Sequence, residues 1–151
     1  MIVSRVIYKK LLEKNIKHVF GYSGGANLPL LNEFYQSEKI HFIKNSNESC
    51  SGFAAEGYSK SLMKMIPGVV LTTSGPGITN LITPLQNAYS DGTPLVVLSA
   101  QVPMSSLYTD AFQECRATNL TQHCTKWNTM ITDPYNVSET IDKAFKIAMT
   151  D

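Results

Sequence analysis

The chain has 151 residues, a length that suits one α/β domain and leaves little room for a second. Hydrophobic residues make up 43%, charged residues 17%, and the net charge is +1, which argues against a disordered chain, a nucleic-acid binder built on a basic block and a membrane-spanning protein. Cys50, Cys115 and Cys124 form an odd set without paired spacing, so reduced thiols in the cytoplasm are expected rather than a disulfide framework, and His123 beside Cys124 lacks the further ligands a metal site needs.

Met1 to Lys10 reads as the start of a helix with no signal peptide before it, and Val3, Val6, Ile7 and Leu11 recur at helical spacing. Lys17 to Phe20 is a short strand ending at Gly21. Leu28, Leu31 and Tyr35 mark a second helix, Ile40 to Ile43 a second strand, and Ser49 to Leu62 a helix rich in small residues. Gly68 to Thr73 is a continuous apolar run, as a strand buried on both faces requires. Ile78, Leu81, Leu85 and Tyr89 give another helical stripe, interrupted by Pro84, so a kink or break is expected between Asn80 and Pro84 that shifts Asn80. Pro94 to Ser99 is a further buried strand, and Val137 to Met149 a last helix, with Asn136 and Glu139 spaced as a capping box.

Strands alternating with helices predict right-handed crossovers and a parallel sheet covered on both faces, a three-layer doubly wound α/β domain of flavodoxin-like type. Ligands of such sheets lie beyond the carboxyl ends of the strands. Three segments follow strands in this way and are expected on one rim: Gly21 to Gly25, Asn45 to Glu48, and Ser74 to Gly77. Glycine turns let backbone approach a ligand closely, but neither glycine segment has the lysine of a P-loop or the spacing of a dinucleotide fingerprint. Glu48, read alone, is an acidic residue in the first turn of a helix, favoured by the macrodipole, with Ser46 or Asn47 as the cap.

The order of segments adds to this. Phe20-Gly21-Tyr22-Ser23-Gly24-Gly25-Ala26-Asn27-Leu28-Pro29, then Asn47-Glu48 with Ala54-Ala55-Glu56-Gly57-Tyr58, then Thr73-Ser74-Gly75-Pro76-Gly77-Ile78-Thr79-Asn80-Leu81 follow one another along the chain. Pro94 to Val97, Gln101-Val102-Pro103, Thr109 to Glu114 and Thr125 to Asn128 come after them. This series resembles the N-terminal, pyrimidine-binding domain of the acetolactate synthase family of thiamine diphosphate-dependent enzymes, over nearly the whole chain. The resemblance implies the thiamine-diphosphate-binding fold as a single domain across residues 1–151. By the same resemblance the chain is the pyrimidine-binding half of a carboligase or decarboxylase of 2-oxo acids such as pyruvate.

Residue by residue, the resemblance implies that Glu48 is catalytic and hydrogen-bonds N1′ of the aminopyrimidine, where proton sharing favours the imino form that deprotonates the thiazolium ring. Tyr22, Ser23 and Gly24 match the loop bordering the cofactor. Pro76 and Asn80 match positions against the aminopyrimidine, and Gln113 joins this cofactor set. Gly25, Ala26, Phe112 and Lys126 match the substrate channel. By residue type alone, Tyr22 equally suits a core aromatic, Pro76 a turn, Asn80 a turn cap and Lys126 a solvated surface.

The family usually has His at position 47, Gln at 49 and Pro at 23, where this chain has Asn47, Ser49 and Ser23. Nothing in the chain resembles the family's diphosphate-binding motif. Magnesium and flavin are therefore expected only with domains absent from these residues, and the chain alone is expected to be inactive. The expected partner is a second copy, a diphosphate-binding domain or both. The alternatives are a non-catalytic interaction or regulatory domain and a flavodoxin-like nucleotide binder.

Overall fold

A computed structural model describes residues 2–62 and 66–150, so Met1 and Asp151, the ends of the expected domain, lie outside the described residues. Among the described residues eleven regular elements run in order: α1 (Val3–Glu13), β1 (His18–Gly21), α2 (Leu28–Ser37), β2 (His41–Lys44), α3 (Glu48–Ser61), β3 (Gly68–Thr72), α4 (Pro76–Thr79), α5 (Ile82–Ser90), β4 (Leu95–Ser99), α6 (Ala117–Thr121) and α7 (Val137–Ala148). Short 3-10 turns cover Gly25–Asn27, Met104–Ser106 and Pro134–Asn136.

The four strands form one sheet in the order β2-β1-β3-β4, every pair parallel. Alternation along the strands splits the core. Val19, Val69, Leu71 and Val96 pack on one face with Tyr8, Leu11, Leu30, Phe34, Ile141 and Phe145 from α1, α2 and α7. Phe20 and Val70 pack on the other with Ala55, Ile78, Leu85 and Cys124. The sheet is therefore doubly wound, and all five residues of β3 are buried, as its unbroken apolar run demands.

Two expectations need adjustment. Asn136 stands at the N-cap position of α7, but its side chain makes no capping bond there. Its backbone is already helical (φ −86°, ψ −4°), because the Pro134–Asn136 turn leads straight into the helix, and the extended geometry that aims a cap is missing. Asp133 caps that turn instead, accepting from the Tyr135 N–H at 2.9 Å. The expected break before Pro84 is present between α4 and α5, but it does not remove Asn80 from the site. Pro84 falls in the first turn of α5, where an N–H has no helical partner to lose.

Candidate functional site

Crossovers leave β1 and β3 in opposite directions, so the carboxyl ends of these neighbouring strands open the switch-point crevice of the sheet. The three expected turns meet there. The Asn45 N–H donates to the Gly21 carbonyl at 3.1 Å, joining the turns after β2 and β1. A Cβ at Gly24 would lie 2.5 Å from the Thr73 side chain, so glycine is what lets the turns after β1 and β3 touch. Gly75 occupies the left-handed region (φ +55°), and a Cβ there would meet the Gln113 carbonyl oxygen at 2.7 Å.

Glu48 opens α3 and is 6% exposed. Asn47, extended at φ −157°, caps the helix by accepting from the Cys50 N–H at 2.9 Å, so the departure from the usual histidine supplies a good cap. The Glu48 carboxylate accepts a hydrogen bond from Asn80 Nδ2 at 2.9 Å. The Ser49 hydroxyl donates to the Asn80 carbonyl at 2.5 Å, so both ends of Asn80 are tied to the first turn of α3. Among the described residues Asn80 is the one hydrogen-bond partner of this carboxylate, and it engages Oε2 alone.

Tyr22 is half-buried, with the Lys44 ammonium 5.5 Å from its ring centroid. Ser23 and Gly25 are exposed beside it, and Pro76 is exposed at the start of α4. Gln113 lies with its backbone against Gly75, and Phe112 next to it is 88% exposed. Ala26, between Gly25 and Asn27 on the rim, and the distant Lys126 share a further feature. Both line a cavity of about 1170 Å³ along the open edge of β4, whose walls are largely apolar side chains of β4, α5 and α7 and which does not include Glu48. Lys126 donates to the Thr150 carbonyl past the end of α7.

Two further residues build the rim without having stood out in the sequence. Asn27, buried, donates through Nδ2 to the Tyr22 carbonyl at 2.9 Å and accepts the Gly24 N–H at 3.0 Å, bracing the first glycine turn. The asparagine three residues after Gly24 was the available signal. Thr73 carries a buried hydroxyl without a hydrogen-bond partner, directly under Gly24. No group of three or more His, Cys, Asp or Glu residues is arranged to hold a metal among the described residues. No helix among them is long and apolar enough to cross a membrane.

A shielded carboxylate and two glycine turns at the switch point of a doubly wound sheet place the chain among α/β domains that receive a ligand at the strand ends. Residues 1–120 match the family described as thiamine pyrophosphate enzyme, N-terminal TPP binding domain, and the chain belongs to that family as an acetolactate synthase-like member. It is 48% identical over 143 residues to the mitochondrial acetolactate synthase of Schizosaccharomyces pombe, covering 95% of this chain and 21% of that protein. To the acetolactate synthase large subunit of Corynebacterium glutamicum it is 39% identical over 147 residues, 97% of this chain and 23% of that protein. To the chloroplastic acetolactate synthase of Arabidopsis thaliana it is 36% identical over 143 residues, 95% of this chain and 21% of that protein. The chain thus spans about a fifth of the length of these relatives.

Proposed function

We propose that this chain is the aminopyrimidine-binding half of a thiamine diphosphate-dependent carboligase or decarboxylase of 2-oxo acids, with Glu48 as the group that engages N1′ of the ring. One observation carries the reading: a nearly buried carboxylate, held through one oxygen by Asn80, at the start of a helix on the strand-end rim that also carries the two glycine turns.

The residues present fit the cofactor's pyrimidine end. Glu48 Oε1 is the acceptor that holds a proton at N1′, and burial of that pair away from water strengthens the bond. Asn80 fixes the carboxylate plane by holding Oε2. Gly24 lets the turn after β1 close against Thr73, and Gly75 lets the turn after β3 close against Gln113, which draws the backbone of the rim together at the strand ends. When bound, thiamine diphosphate supplies the carbon nucleophile for the keto group and the electron sink for decarboxylation. The chain's own part is position, exclusion of water and control of one proton.

The diphosphate, its magnesium ion and any flavin fall to a partner domain or subunit. A second copy or a diphosphate-binding domain would cover Phe53 on α3 and Tyr89 on α5, which stand 45% and 50% exposed on the helices beside Glu48. Three free thiols suit a reducing compartment such as the cytoplasm.

The test is reconstitution with a diphosphate-binding partner, read by calorimetric titration of thiamine diphosphate and by pyruvate turnover. The chain alone should turn over little or nothing. The reconstituted pair should be active, and Glu48→Gln should lower turnover by roughly 100-fold or more. Undiminished turnover in that variant removes Glu48 from its role. An absence of cofactor binding with every partner tried assigns the chain to an interaction or regulatory role instead.

A further inference from the structure

The segment from Leu107 to Glu114 packs against the candidate site and is built around one carboxylate. Glu114 Oε1 accepts the Tyr108 N–H at 2.5 Å, and Oε2 accepts the Ala111 N–H at 3.2 Å. The Glu114 N–H returns to the Ala111 carbonyl at 2.8 Å, closing the turn. Three non-glycine residues of this segment, Tyr108 (φ 65°), Asp110 (φ 56°) and Gln113 (φ 59°), hold left-handed backbone. Such residues cost on the order of 1 kcal/mol each and persist only where the surroundings over-determine them.

The carboxylate is what over-determines them here. The successive N–H groups from Tyr108 to Ala111 converge on it and hold its carboxyl below the ordinary carboxylate range, the Tyr108 N–H most of all. Flanking bonds anchor the two ends. Thr109 Oγ1 donates to the Ser106 carbonyl at 2.8 Å, and Gln101 Nε2 donates to the Cys115 carbonyl at 2.8 Å. The left-handed turn at Gln113 then lays its backbone on Gly75, a contact that needs glycine on the other side.

We propose that Glu114 is a positioning residue: its carboxylate folds the Leu107–Glu114 segment and so holds Gln113 against Gly75 at the rim, with Phe112 presented to solvent beside it. Acting on substrate entry, it rests on the function proposed above, but its folding role does not. Neither Glu114 oxygen needs to touch a ligand, since both are occupied by backbone.

The deciding experiment uses the chain without cofactor. Amide hydrogen exchange is measured for wild type, Glu114→Gln and, as a control, Glu139→Gln on the exposed side of α7. Glu114→Gln should speed exchange at Tyr108 and Ala111 by about 10-fold or more, leave the Asn80 side-chain amide signals in place and leave the urea midpoint unchanged. Glu139→Gln should change none of these. Equal protection of Tyr108 and Ala111 in Glu114→Gln overturns the proposal, and a general fall in the urea midpoint reduces Glu114 to ordinary fold stabilisation. In the reconstituted enzyme, Glu114→Gln should raise the KM for pyruvate about 10-fold with kcat within about twofold. A fall in kcat at constant KM overturns the assignment to substrate entry. An inactive wild-type pair defeats the proposed function, and the exchange measurement still decides the folding role of Glu114.

Discussion

Glu56 and Asn87 face each other across α3 and α5, with Asn87 Nδ2 at 2.9 Å from both oxygens of a carboxylate that is almost wholly buried. Together with Glu48 and Asn80 they form two carboxylate–carboxamide rungs, the first at the start of α3 on the strand-end rim and the second farther down α3. Lys60 closes the lower rung, contacting Glu56 and Asp91 at 2.7 Å each. A buried carboxylate that loses a donor keeps its desolvation cost, so the lower rung fixes the helix register on which the upper one depends. Glu56→Gln and Asn87→Ala should therefore be non-additive, with a coupling of about 1–3 kcal/mol in a double-mutant cycle read by urea unfolding. Additive effects would mean that the helices are held by packing alone.

The upper rung responds to charge. Asn80→Asp places a second carboxylate where the amide now donates to Glu48 at 2.9 Å. Two carboxylates at that distance cannot both ionise readily, and one carboxyl is raised. A group raised by folding takes up a proton more readily in the native state. The variant should thus be less stable than wild type at pH 7, and the gap should narrow as pH falls toward 5. Urea midpoints at the two pH values decide it, and a gap that does not narrow counts against the close approach.

Two glycines of α3 make a matched pair. A Cβ at Gly52 would meet Pro84 Cγ at 2.5 Å, whereas one at Gly57 would meet nothing within 4 Å. Gly52→Ala should destabilise by about 1–3 kcal/mol through overpacking. Gly57→Ala should stabilise by about 0.5–1 kcal/mol, because the unfolded chain there loses backbone freedom while the helix pays no steric cost. Thermal unfolding of both variants reads opposite signs, and a stabilising Gly52→Ala would refute the α3–α5 contact.

Asp142 joins α7 to α1 through Lys10 at 2.8 Å and Lys14 at 2.6 Å. Hydrogen bonds from Lys10, and then Lys14, hold its carboxyl below the ordinary range. The unfolded chain therefore binds this proton more readily, so the stabilisation is present above the unfolded carboxylate value of about 4 and is lost as pH falls through the lower folded value. Asp142→Asn should flatten that part of the stability–pH curve. A curve that keeps its shape assigns the acid sensitivity to other carboxylates.

Thiol chemistry gives an independent check on burial. Cys50 is exposed, whereas burial pushes the Cys115 and Cys124 thiols up from their ordinary value. A thiol reagent at neutral pH should modify Cys50 first, followed by the other two only on unfolding. Early modification of Cys124 would contradict its place against the sheet.

The strands were legible because each carries its own signal: β3 is an unbroken apolar run, and Gly21 ends β1 where the chain must turn. Glu48 was legible only through the order of segments, since a glutamate in a first helical turn is ordinary by itself. Pro84 announced a break but not its result, because the sequence does not say that Asn80 is delivered onto a carboxylate 32 residues earlier. Thr73, Asn87 and Glu114 escaped for the same reason. Their partners are set by the way the turns close or the helices pack, and local periodicity carries no record of that. Lys126 and Ala26, matched to the substrate channel by motif alone, line one cavity along β4, a meeting of distant segments that the motifs do not show.

The turns after β1, β2 and β3 are joined to one another by the Asn45–Gly21, Gly24–Thr73 and Glu48–Asn80 contacts, so the rim closes as one ring. A change of side chain at one of these contacts is therefore passed on to all three turns, whereas Ser23 and Gly25, which face solvent, touch none of the contacts that close the ring.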